Sequence, residues 1–315
     1  MVWRETRGAT MNVAIWNLLR ETYKEWKEDN ASRLAAALSY YTAVSIAPML
    51  VLLVTALGWF YGDESARMEL NSRLQGIVGP QAAEVIQAVI EGADQPDAAS
   101  VAGILSILTL LWGASNVFVQ LQDSLNTIWG VELKPNAGFM ATIRERFLSF
   151  GMILVIGFLL LVSLILSAIL SAFSGALRDF LPGMDFLWQV VSFVVSFGVT
   201  TLLFALIYKV LPDVEIGWRD VWMGATVTAL LFTVGKWLLG IYLGYSSTSS
   251  AYGAAGSLVV LLIWIYYSAQ IFLFGAEYTQ VYAYTYGKGV VPDKKAQYID
   301  PQDRAEAEAA GAVKS

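Results

Sequence analysis

The chain has 315 residues, of which 57% are hydrophobic and only 15% charged, with no cysteine and no histidine. That balance excludes a soluble domain of ordinary composition. The missing residue types exclude disulfides, thiolate chemistry, His-ligated metals and a His general base. The formal net charge of −6 decides little, because in a chain this apolar the placement of charge matters more than its sum.

A bilayer core about 30 Å thick takes about 20 mostly apolar residues in a helix. Six segments meet that length: Leu34–Phe60, Val101–Thr127, Phe147–Ser171, Trp188–Tyr208, Val221–Tyr242 and Gly256–Tyr282. The expected fold is therefore all-α, a polytopic membrane protein with six transmembrane helices. Three regions follow: a cytoplasmic amphipathic arm over 1–32, a bundle over 33–286 with an external helical segment at 62–100, and a flexible cytoplasmic tail over 287–315. The N-terminus lacks the charged, apolar and small-residue order of a cleaved signal, so the first span is expected to stay as an anchor.

In the arm, Trp16, Leu19, Tyr23 and Trp26 recur at helical steps, opposite Arg20, Glu21, Lys24, Lys27 and Glu28. Aromatic rings favour the headgroup zone, so this helix either lies on the membrane surface or docks on the bundle. Pro48 interrupts the first span and removes the N–H that would pair with the Val44 carbonyl, which predicts a kink there. Between the first and second spans, Gly79-Pro80 divides two short amphipathic stretches that either cap the external mouth or rest on the membrane.

Sixteen of the twenty Lys and Arg fall on the side of the N-terminal arm, against Arg67, Arg73 and Arg178 on the other. By the positive-inside rule both termini face the cytoplasm, so a multi-pass protein with both ends on that side is expected. Small residues four apart, such as Ala35, Ser39 and Ala43 or Ser192, Ser196 and Thr200, give stripes along which helices can approach in lipid.

The second span carries Thr109, Asn116, Gln120, Asp123 and Thr127 on one stripe, and the sixth carries Tyr266, Gln270 and Glu277. Polar groups are costly against lipid, so both stripes must face protein or water. Asp123 and Glu277 fall at similar depth near the cytoplasmic ends. They are either a site for a cation, proton or polar headgroup, or interhelical hydrogen-bonding groups. Lys236, deep in the fifth span, needs an acid, water or an anion such as a phosphate headgroup. Asp213, Glu215 and Asp220 read as a solvated, helix-capping turn rather than a metal site.

Four stretches, AAALSYYTAVSIAPML at Ala35 to Leu50, LQDSLNTIWGV at Leu121 to Val131, PDVEIGWRDVWMGA at Pro212 to Ala225 and YGAAGSLVVLLIWIYYSAQIFLFGAEYTQ at Tyr252 to Gln280, resemble the YihY/BrkB family of bacterial inner-membrane proteins. The resemblance implies a bacterial cytoplasmic (inner) membrane and six helices with cytoplasmic ends, and it maps no catalytic residue onto this chain. Members carry legacy labels of ribonuclease BN and of virulence factor. Nuclease chemistry is disfavoured here, since the chain has no His and no broad basic face for RNA. The expected activity is non-enzymatic, without cofactor, metal or nucleic acid: a transporter, exporter or lipid-translocating protein, or else a scaffold for envelope assembly. Its expected partners are membrane lipids and a small polar solute, ion or lipid headgroup, with an oligomer open.

Overall fold

The computed structural model describes residues 11–45, 101–134, 185–245 and 254–299. Pro48, the external segment 62–100, the third expected span and residues 300–315 lie outside the described residues. The helices among the described residues are α1 (Met11–Glu28), α2 (residues 31–45), α3 (Val101–Ile128), α4 (Asp185–Val210), α5 (Trp218–Tyr245) and α6 (Ala254–Tyr286). Four short strands accompany them: β1 (Val131–Leu133), β2 (Val214–Glu215), β3 (Val291–Pro292) and β4 (Ala296–Tyr298).

Helices α3 to α6 coincide with the second, fourth, fifth and sixth apolar segments. Two of them contain windows long and apolar enough to cross a bilayer, Phe193–Val210 with mean hydropathy 2.0 and Trp218–Leu238 with 1.3. The 33 residues of α6 rise about 50 Å, more than a bilayer core requires. Between α1 and α2 the chain turns at Asn30, whose φ of 53° is a left-handed value that Asn tolerates better than most residues.

The described chain forms two compact units. The second comprises α2, α3 as far as Ser124, the end of α5 from Val234 and α6 as far as Leu273. Its buried α2 residues, Ala31, Ala35, Leu38, Ser39 and Ser45, follow one helical stripe. The Ser45 hydroxyl donates to the Gly113 carbonyl of α3 at 2.7 Å, a close approach that small residues permit.

The first unit gathers α1, α4, the C-terminal ends of α3 and α6, and the N-terminal half of α5. It contains the helix ends that the basic residues assign to a single side. They are tied by two antiparallel pairs, β1 with β4 and β2 with β3. Strands this short lie outside the all-α expectation, and they arise where the loops leaving α3 and α4 need partners for their backbone groups.

Those partners come from the expected tail, and its boundary at residue 287 is corrected accordingly. Residues 287–299 supply β3 and β4, with Val290 and Ala296 buried. The Tyr298 hydroxyl donates to the Val290 carbonyl, and the Ile299 N–H to that of Gly130. Apolar side chains interleaved with the Gly, Pro and Lys of this stretch give it enough burial to order.

α5 and α6 cross through a reciprocal pair of glycines. A Cβ on Gly224 would strike the Thr279 hydroxyl and lie 2.6 Å from its Cβ, and one on Gly275 would lie 2.8 Å from the Thr228 Cβ and from the Tyr208 hydroxyl. The Ser192, Ser196 and Thr200 stripe does not behave this way where it is described: Ser196 is exposed and a Cβ on Gly198 meets nothing within 4 Å. Alanine in a helix gains about 0.5–1 kcal/mol over glycine, whereas overpacking costs about 1–3 kcal/mol. Gly198→Ala is therefore expected to raise the thermal midpoint in detergent and Gly224→Ala to lower it. Equal responses would show that the α5–α6 crossing is not tight.

Candidate functional site

The first unit is organised around the last turns of α6. Leu18 of α1 packs with Tyr278 and Val281 of α6, and Val227 of α5 and Tyr282 lie against that cluster. Docking and surface placement of α1 were both open from sequence, and of the aromatic stripe only Trp26 is drawn in, half-buried with its Nε1 enclosed. Leu18 and Thr22 are buried, with Glu25 and Asp29 continuing the same i, i+4, i+7, i+11 stripe. Ile15, Trp16, Leu19 and Tyr23 are left exposed, Trp16 at 69%.

Glu277 lies in this region and is fully buried, at 0% exposure, with neither carboxylate oxygen hydrogen-bonded among the described residues. It stands one helical turn before Val281, which places the two on one face of α6. Among the described residues, the charged groups whose fields reach it are Asp29 and Glu25 of α1. Burial raises the Glu25 carboxyl above its usual range and the neighbouring Glu28 and Glu21 add to that, while Lys24 opposes it. Lys24 is itself half-exposed and shared among Glu21, Glu25 and Glu28 at 3.2, 3.6 and 3.8 Å. It gives little compensation that deep in the unit.

The other sequence-derived residues fall in the second unit. Asn116 and Gln120 are half-buried on α3, and the Gln120 amide donates to the Ser124 hydroxyl at 3.3 Å, one turn along its own helix. Asp123 is exposed, as are Lys236 and, at 39%, Tyr266. Gln270 is half-buried with its Oε1 buried and unpartnered. The expected likeness between Asp123 and Glu277 ends at depth along the helix, because one is exposed and the other wholly enclosed. Lys236 follows Leu230 and Val234 and precedes Trp237 and Leu238, all exposed, so it belongs to the outer surface of α5. No cluster of three acids, His or Cys able to hold a metal occurs among the described residues.

One constellation was missed. Asp213, expected in a solvated turn, is 4% exposed. Its Oδ1 lies 2.5 Å from the Lys295 ammonium and its Oδ2 accepts from the Asn126 amide at 2.8 Å. Its own N–H donates to Asn126 Oδ1 at 2.9 Å, and its carbonyl accepts from the Asp293 N–H. Asn126 lies in the last turn of α3, Asp213 precedes β2 and Lys295 lies in the β3–β4 turn. Two of the stretches that carry the family resemblance meet in this lattice. It is a structural junction holding the ends of three long helices within the same unit as Glu277. The only hint in the sequence was an Asn and an Asp at the ends of two expected spans.

Long apolar helices whose polar ends are interlocked on one side, with a buried acid among them, define an α-helical integral membrane protein. Residues 22–300 match the model of the family described as Virulence factor BrkB, and the chain belongs to that family. It is 28% identical over 260 residues to a UPF0761 membrane protein of Alteromonas mediterranea, covering 81% of this chain and 84% of that protein. It is 29% identical over 261 residues to one of Mannheimia succiniciproducens, covering 82% and 87%. A third, of Verminephrobacter eiseniae, is 30% identical over 275 residues, covering 84% of this chain and 62% of that protein. No solved structure matches.

Proposed function

We propose that this protein moves a small polar solute, an ion or a lipid headgroup across a bacterial inner membrane, without covalent chemistry, and that Glu277 is the ionisable group of its working site. The observation that carries this reading is a wholly buried carboxyl with no hydrogen-bond partner among the described residues. Leaving such a group unpaired costs about 1–3 kcal/mol, more if it is charged. A helix that serves packing alone would place an apolar residue there. The six-span topology with both termini cytoplasmic belongs to the same proposal, supported by the basic-residue count and by the common placement of the α3, α4, α5 and α6 ends.

Envelope scaffolding is the second reading, favoured by the exposed Trp16, Leu19 and Tyr23 face of α1. Reconstitution into phospholipid vesicles separates the two. Flux of protons, of monovalent ions and of fluorescent phospholipid would be followed for wild type and Glu277→Gln. Transport predicts that one of these flows in wild type and falls about tenfold or more in the variant, the size expected for loss of a positioned ionisable group. Equal flux in both removes Glu277 from the site, and no flux of any species in wild type favours the scaffold.

A further inference from the structure

α1 sorts its side chains around its axis. Leu18 and Thr22 are buried on the docked line. Ile15, Trp16, Leu19 and Tyr23 are exposed and centre about a quarter-turn round the helix from that line, at about 100° per residue. Arg20 and Lys27, both exposed, border this stripe on the side away from the docked line. Glu21 and Glu28 lie on the side opposite the stripe, where Lys24 joins them at 3.2 and 3.8 Å. Cations therefore flank the aromatic rings, and these acids point away from them.

What meets the stripe follows from the level at which α1 docks. Leu18 shares its cluster with Tyr278 and Val281, and Val227 of α5 packs against that cluster. Val227 lies within the apolar window Trp218–Leu238, about 13 Å along the helix from Trp218. Trp218 and Trp222, in the first turns of α5, are exposed. Tyr278, Tyr282 and Tyr286 follow one another in ring contact along α6, and the last of them is exposed. Exposed Trp and Tyr at helix ends mark the headgroup zone, which is about 5–8 Å deep on each side of the hydrocarbon. α1 packs on α5 deeper than that belt, so its free side borders lipid.

We infer that α1 is an interfacial helix that lays Ile15, Trp16, Leu19 and Tyr23 into the leaflet on its own side of the membrane, with Arg20 and Lys27 binding the headgroups of anionic phospholipids. A helix with Trp and Leu on one side and basic residues beside them binds at the boundary between headgroups and acyl chains. The Arg20 guanidinium can take a phosphate through two parallel hydrogen bonds, and Lys27 adds a point charge. The Tyr23 ring suits the same layer, apolar in body and polar at its tip. Turning Glu21 and Glu28 away keeps like charge off an anionic surface. With one side on α6 and the next in lipid, α1 sets bound headgroups beside the last turns of α6. This goes beyond the transport reading and needs no solute. A stripe held in lipid is also closed to a protein partner.

The chain has no cysteine, so a single thiol placed in the full-length protein carries a fluorescent label to one position. Leu19→Cys reports on the stripe and Glu28→Cys on the side opposite it. Each labelled protein would be held in phosphatidylcholine nanodiscs, which leave both membrane faces open to the buffer. A nitroxide on the acyl chain of added phospholipid quenches from within the lipid, and aqueous cobalt quenches from water. The label at position 19 is expected to respond to the nitroxide and to be shielded from cobalt, with the reverse at position 28. Nitroxide-bearing phosphatidylglycerol should quench position 19 about threefold or more as strongly as the same share of nitroxide-bearing phosphatidylcholine, through two basic residues near the surface. Arg20→Gln with Lys27→Gln should level the two lipids, and should that double variant extract poorly, either single is expected to lower the preference. A label at position 19 open to cobalt and untouched by the nitroxide overturns the inference and leaves the stripe to a protein partner. Equal quenching by the two lipids, or a preference unchanged in the variants, overturns the assignment of Arg20 and Lys27 to anionic headgroups.

Discussion

Asp213→Ala is expected to cost about 3 kcal/mol of stability and to leave most of the protein aggregated on extraction, because it strips a buried lattice of its central acceptor. Asp213 is 4% exposed, its two oxygens serve Lys295 and Asn126, and the Lys295 side chain is itself 21% exposed. Taking away the carboxylate leaves an ammonium and an amide in a site closed to most water. Removing one partner of such a pair costs more than the pair contributes, since the survivor keeps its desolvation penalty. The partial exposure of Lys295 places the effect at the lower end of the usual range. The sharper test is the double variant. Asp213→Ala with Lys295→Met should recover part of the loss, because the stranded charge goes with its partner. Thermal midpoints in one detergent for wild type, both singles and the double decide it. Midpoints within about 1 °C of wild type for Asp213→Ala would mean that the lattice does not hold the helix ends, given the several degrees that a loss of about 3 kcal/mol produces.

That lattice also marks the limit of what could be read from the residues in order. The long helices were legible because about twenty apolar residues in a row admit few other structures. The observed ends of α3, α4, α5 and α6 lie within a few residues of the expected spans. The junction at Asp213 was not legible, since its partners Asn126 and Lys295 lie 87 and 82 positions away and each alone is an ordinary loop or tail residue. β3 and β4 were hidden for a similar reason. Strands of two and three residues show no alternation, and a stretch rich in Gly, Pro and Lys reads as solvated until something pairs with it.

The site was half legible. Glu277 stood out as an ionisable residue in an apolar helix, which is a candidate by default. Its unlikeness to Asp123 did not, because helical periodicity gives a face but not what covers that face. Nor could periodicity choose between the two sides of α1. Its aromatic stripe is the stronger pattern, yet the weaker stripe of Leu18, Thr22, Glu25 and Asp29 is the one that docks. An apolar stripe gains from burial in any apolar surroundings, and for a helix at a membrane surface the lipid boundary competes with the protein.

Glu277→Met is expected to make the protein more stable and inactive at once. Methionine is unbranched and close to glutamate in length, with no carboxylate oxygens, so it fills the same space while removing two buried groups that have no partner among the described residues. Replacing an unsatisfied buried polar group with an apolar one of similar shape should gain about 1–3 kcal/mol, raising the thermal midpoint in detergent. The flux expected of wild-type vesicles should meanwhile fall to the level of protein-free ones. The pairing of outcomes is what discriminates. A residue kept for packing would lose stability and activity together, and a residue irrelevant to both would lose neither. A midpoint that drops with Glu277→Met would mean that the carboxyl is satisfied in the folded protein, which removes the physical ground for assigning it a ligand. A midpoint that rises while flux disappears would mean that α6 carries an unfavourable group for the sake of what that group binds.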